Sequence, residues 1–158
     1  MYKKIMVPLD GSKLAETVFP HVETVLHGCS APEVVFVQAV EPISIPIGRE
    51  VSQLTSFEQV KTFETHQRAD AEKYLQEVVA RFQKAGTNAR LEVINGKPAD
   101  ALSEYAAKSG VDLIIMATHG RSGIPRLVMG SVADRLMRST CAPVLLVRSL
   151  GCPPASQA

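Results

Sequence analysis

Val111-Asp112-Leu113-Ile114-Ile115-Met116-Ala117-Thr118-His119-Gly120-Arg121-Ser122-Gly123, taken up again at Met129-Gly130-Ser131-Val132, is the stretch from which the fold is read. Residues 111–117 are nearly all apolar. An apolar run of that length, broken only by Asp112, predicts a buried strand, as in a parallel sheet. Glycines then mark a turn, and Gly130-Ser131 opens a helix predicted over residues 131–139. A helix N-terminus carries unpaired N–H groups and the positive end of the helix dipole, so it attracts phosphate. Gly130 lets an anion approach the backbone with no Cβ in the way, and Ser131 adds a hydroxyl. Spacing alone fits a phosphate-binding turn and an ordinary turn with Ser131 as cap equally well.

The same alternation recurs on either side of this stretch. Residues 4–9, apolar after Lys4, form a short run ending at Asp10-Gly11-Ser12, a strand and a turn. Ser12 is placed to cap a helix running to about His27, Pro20 should kink or break that helix, and Gly28 should stop it. Residues 34–40 form a second buried strand. Residues 41–57, with Pro42, Pro46 and Gly48, read as a long loop, either a lid or partner surface or simply a mobile segment. Val60, Phe63, Tyr74, Leu75, Val78, Val79 and Phe82 recur at helical spacing and predict a helix over residues 58–84. Residues 89–94 alternate apolar and polar, the pattern of a more exposed edge strand. Asn95-Gly96 is a turn, and Pro98 starts a helix of about twelve residues. Pro143 introduces a last strand over residues 144–148. Strands alternating with helices predict an α/β fold, a doubly wound, Rossmann-like, five-stranded parallel sheet with helices on both faces. Residues 1–150 make one domain on this reading, and residues 151–158 a disordered tail.

Composition narrows the function. The formal net charge of +1 is far from the basic excess of a protein held by nucleic-acid phosphates. No apolar run nears the roughly 18 residues of a membrane span. The N-terminus reads as a first strand and not as a signal peptide. Cys29, Cys141 and Cys152 are odd in number and widely spaced, which suggests neither disulfides nor zinc and fits a cytoplasmic chain with reduced thiols. His21, His27 and His66 show no metal spacing, and His119 sits in the glycine turn, as a ligand contact or a plain turn residue. Asp10-Gly11-Ser12 lacks the carboxylate two residues earlier that an aspartyl-phosphate nucleophile needs, because Pro8 stands there. Met129-Gly130 before Ser131 is not the Gly-Lys of a Walker loop, and the glycines follow the fourth strand, not the first.

The turn resembles the nucleotide-binding signature of the universal stress protein family, Gly, two residues, Gly, nine residues, Gly, then Ser or Thr, at Ala117, Gly120, Gly130 and Ser131. Ala117 replaces the first glycine with the next smallest residue, and binding is expected to survive. Val7-Pro8-Leu9-Asp10-Gly11-Ser12, Val40-Glu41-Pro42 and Cys141-Ala142-Pro143-Val144-Leu145-Leu146-Val147 resemble the family's first strand and turn, second strand end and closing strand. The resemblance runs in order over residues 3–148. It implies that Pro8 and Asp10 lie beside the nucleotide, Asp10 near the ribose or a metal, although a turn-capping carboxylate remains an alternative for Asp10. It implies that Ala39 and Val40 flank the adenine, that Met116 and Ala117 contact base and ribose, and that Gly120, Arg121, Gly130, Ser131 and Val132 hold phosphates. The implied ligand is ATP, AMP or ADP, with Mg²⁺ as a candidate companion, and the implied assembly is a homodimer through the last strand.

Three functions compete at this point. The first is a regulatory ATP-binding stress-response module that is not an enzyme, since no acid–base pair or activated nucleophile is evident. The second is a slow ATPase or phosphotransfer protein using Asp10, Mg²⁺ and Arg121. The third is a dimeric interaction protein without nucleotide.

Overall fold

The computed structural model describes residues 2–29, 32–42, 55–118 and 130–148. The elements are β1 (Lys4–Pro8), a 3-10 turn (Ala15–Val18), α1 (Phe19–His27), β2 (Glu33–Val40), α2 (Thr55–Lys84), β3 (Asn88–Asn95), α3 (Pro98–Lys108), β4 (Leu113–Thr118), α4 (Ser131–Ser139) and β5 (Val144–Arg148). All strand pairs are parallel, in the order β3-β2-β1-β4-β5. This is the doubly wound arrangement that the alternation predicts.

Two apolar layers sandwich the sheet. On one face Ile5, Val7, Val34, Phe36 and Ile115 pack with Val18, Phe19, Val22, Leu75, Val79 and Phe82 of the 3-10 turn, α1 and α2. Phe82 meets the rings of Phe36 and Phe19 at 4.8 and 5.5 Å, in tilted and edge-on geometries. On the other face Met6, Val35, Val37, Ile114 and Met116 pack with Leu102, Ala106, Ala133 and Leu136 of α3 and α4. Burial on both faces is why the central strands read as continuous apolar runs. The edge strand β3 alternates, with Ala89 and Val93 buried and Arg90 and Glu92 exposed.

The departures from the sequence reading have local causes. The first helix is not continuous from Ser12. Ser12 Oγ accepts the Ala15 N–H at 3.1 Å, as a cap should, but a 3-10 turn follows, and α1 begins at Phe19. Pro20 falls in the first turn of α1, where its missing N–H costs nothing, so the break precedes the proline. The helix predicted from residue 58 begins at Thr55, shortening the predicted loop. β4 starts at Leu113 and runs through Thr118. Phe63 belongs to the helical pattern yet is 50% exposed. Its helix outruns the sheet: the 30 residues of α2 span about 45 Å and the 8 of β3 about 26 Å. α2 ends beside the start of β3, where Gln83 Nε2 donates to Ala89 O, so its first turns reach past the carboxyl edge of the sheet.

Candidate functional site

The chain runs from β1 outward through β2 to β3, then returns to lay β4 and β5 on the other side of β1. The strand order therefore reverses between β1 and β4, and in sheets of this topology the crevice beyond the carboxyl ends at that point is where ligands bind.

β1 delivers Pro8 and Asp10 to this edge. Pro8 closes the strand, and the Leu9 N–H still reaches Val37 O at 2.8 Å, so the chain leaves the sheet only at Asp10. Asp10 Oδ1 accepts the Ser12 N–H at 2.9 Å across Gly11, whose φ of +78° favours glycine. The turn-capping role is thus real, and it leaves the carboxylate exposed at the crevice. β2 delivers Ala39 and Val40, both half-buried. The Val40 carbonyl accepts the Gly96 N–H at 3.0 Å, and its side chain packs on the α1–α2 layer.

β4 delivers Met116, buried against the α3–α4 layer, and Ala117, half-buried toward the opposite layer. Gly130 is the N-cap of α4, with φ −54° and ψ 143°. Its carbonyl accepts the Asp134 N–H at 3.0 Å, and no side chain caps the helix among the described residues. The N–H groups of Ser131, Val132 and Ala133 have no partner within the helix. Ser131 is exposed and Val132 half-buried on the α3–α4 layer. Asp134, an anion in the first turn, is held by Arg138 through three contacts of 3.1–3.2 Å, which offsets its charge near the helix end. His119, Gly120 and Arg121 lie outside the described residues, as do most of the predicted 41–57 loop and the 151–158 tail.

Four further polar residues were not selected as site residues from the sequence: Thr118, Tyr74, Gln38 and Glu16. Thr118, 8% exposed, is a buried polar residue at the end of β4. A hydroxyl closing an otherwise apolar strand was the signal available for it. Tyr74 of α2 reads in sequence as core, yet its hydroxyl is sealed from solvent and makes no hydrogen bond of ordinary geometry. Burial, then the carboxylate of Glu16, then that of Asp10, hold the Tyr74 phenol far above its ordinary value. Gln38 Oε1 is likewise buried without a partner. Only folding brings Tyr74 toward Glu16 and Asp10, so no sequence signal marks it. Among the described residues, no three His, Cys, Asp or Glu side chains gather to hold a metal ion.

The family model described as the universal stress protein family matches residues 1–148. Universal stress protein MJ0531 of Methanocaldococcus jannaschii is 30% identical, over 94% of this chain and 83% of its own. The solved structure of hypothetical protein MJ0577 superposes with a TM-score of 0.78 at 24% identity, covering 96% of this chain and 99% of that one. A universal stress protein solved in complex with cAMP gives a TM-score of 0.65 at 23% identity over 93% and 97% of the two chains. A family protein from Arabidopsis thaliana with AMP bound gives 0.64 at 14% identity over 94% and 93%. Among the described residues, no helix is long and apolar enough to cross a membrane.

Proposed function

Because this chain belongs to the universal stress protein family, we propose that residues 1–150 form one adenine-nucleotide-binding domain that serves as a regulatory, stress-response module and not as a dedicated enzyme. The observation that carries the reading is a convergence. The carboxyl ends of β1 and β4 are neighbours where the strand order reverses, β2 flanks β1, and α4, which returns from the carboxyl side of β4, starts with an uncapped N-terminus. Adenine nucleotides in two structures of the same fold support the choice of ligand.

On this reading Ala39 and Val40 flank the adenine. Pro8, Asp10, Met116 and Ala117 hold base and ribose. Gly130, Ser131 and Val132, with Gly120 and Arg121, take the phosphates. Val40 would flank the base by its side chain alone, because its backbone groups face β3, where the carbonyl is engaged by Gly96. Mg²⁺ fits one carboxylate and the phosphates, since this ion is commonly bound through one or two carboxylates plus substrate oxygens. Asp10 is the residue that would hold it. The β5 edge is apolar, with Leu145 38% exposed, and suits pairing with β5 of a second copy. Calorimetric titration with ATP, ADP and AMP tests the reading. Saturable binding to a single site per chain is expected, and no heat at millimolar nucleotide would overturn it.

A further inference from the structure

Three buried side-chain atoms lack a partner among the described residues: Gln38 Oε1, Gln67 Oε1 and Tyr74 Oη. All belong to the interface between α2 and the sheet. Val34 and Phe36 face the α1–α2 layer and Val35 and Val37 the other, so alternation along β2 points Gln38 toward α2. Gln67 and Tyr74 lie two turns apart on the α2 stripe that carries the buried Ala71 and Val78.

Two of the three sit at one height. Gln83 of α2 is level with Ala89 of β3, to whose carbonyl it donates. Gln38 is in register with Val93, about 13 Å further along β3. Nine residues back from Gln83 along α2, also about 13 Å, is Tyr74. The contact of Arg68 Nη1 with Asn95 Oδ1 at 3.5 Å fixes the same alignment at the top of the sheet. The neighbouring groups are the carboxylates of Glu16 and Asp10. Glu16 Oε2 is engaged by Lys13 Nζ at 3.0 Å, and Asp10 Oδ1 by the Ser12 N–H.

We propose that Tyr74 is a positioning residue for the Asp10 turn, acting through a buried polar seam with Gln38 and Glu16 that one ordered water completes. The donor and acceptor inventory fits this form. Gln38 Oε1 and the carboxylates can only accept, and the phenol has a single proton, so once it is given to Glu16 a water with two protons can serve Gln38. The water donates to Gln38 Oε1 and to Tyr74 Oη, and the Tyr74 O–H donates to Glu16 Oε1. Glu16 is the second residue of the 3-10 turn whose Ala15 N–H donates to Ser12 Oγ, and the Ser12 N–H in turn holds Asp10. The seam therefore ties α2 to the Asp10 turn that the proposed function sets against ribose or metal, and the positioning role rests on that reading.

The test has two arms. A double-mutant cycle of Tyr74→Phe and Gln38→Met in the full chain, read by urea unfolding, needs no nucleotide. Each single variant leaves a buried group short of a bond, so each should lower the folding constant about fivefold, while the double variant removes both ends and should lose no more than either single. Single variants that stabilise, with additive effects, would show two orphan atoms without a shared water and overturn the seam. In the second arm, Tyr74→Phe keeps the ring and should bind AMP about fivefold more weakly than the parent. A parent that binds AMP and a Tyr74→Phe variant that binds it equally well overturns the positioning role alone. A parent that binds no adenine nucleotide overturns the proposed function and the positioning role together, and the cycle still decides the seam.

Discussion

Replacing Gly130 by Val separates the phosphate site from the fold. The φ of −54° and ψ of 143° at this N-cap lie in the extended region open to β-branched residues, so the backbone can accept valine without strain. Valine is a poorer N-cap than glycine, and a loss of about 1 kcal/mol of folding stability is expected. The larger effect falls on the ligand. Three N–H groups, of Ser131, Val132 and Ala133, lack helical partners at this end. Hydrogen bonds from such groups to an anion are worth about 1.5–3 kcal/mol each, and the helix end adds about 0.3–1 kcal/mol. A branched side chain at the approach should remove the equivalent of one or two of these bonds, about 2.8 kcal/mol, or a hundredfold in affinity for ATP. Ser131→Ala removes only a hydroxyl and should cost tenfold or less. Calorimetry with ATP on both variants, with circular dichroism to verify folding, measures the ordering. A folded Gly130→Val protein that binds ATP as tightly as the parent would refute the assignment of phosphates to α4.

Further outcomes follow from other parts of the molecule. Leu145→Lys places a charge on the β5 edge, and sedimentation should show the parent as a dimer and the variant as a monomer. Steady-state ATP turnover should fall well below the enzyme median of about 10 per second, since no general base for water is identified. Phe82→Ala empties the junction of Phe19 and Phe36 and should cost about 3–5 kcal/mol in urea unfolding. The Tyr74 phenol titrates higher in the folded chain than in the unfolded one, through burial and then Glu16. Its contribution is complete below the unfolded value of about 10 and is lost as pH rises beyond it. Stability of the parent should therefore decline above about pH 10, and more steeply than that of Tyr74→Phe.

The fold was legible because the sheet is buried on both faces. Apolar runs at residues 4–9, 34–40 and 111–117 can pack only between two helical layers, and the alternation at residues 89–94 marked the β3 edge. Boundaries were less legible where backbone chemistry competed. Ser12 signals a cap, but sequence does not reveal that a 3-10 turn follows it, or that Pro20 lands inside the first turn of α1. The exposure of Phe63 was hidden because helical spacing says which face a residue shares and not whether the sheet extends beneath it. For the candidate site, the strand ends at Asp10, Val40 and Ala117 and the helix start at Gly130 could be read from motif spacing, since each marks a change of element. Tyr74, Glu16 and Gln38 could not, because they come from three separate elements and each alone looks like an ordinary residue of its helix or strand.

The most direct test of the central claim is a crystal structure of this chain grown with AMP. The account predicts the adenosine between Asp10, Val40 and Met116 and the phosphate at the N–H groups of Ser131 and Val132. A nucleotide bound away from the β1–β4 crevice, or a crevice without nucleotide density at saturating AMP, would contradict it.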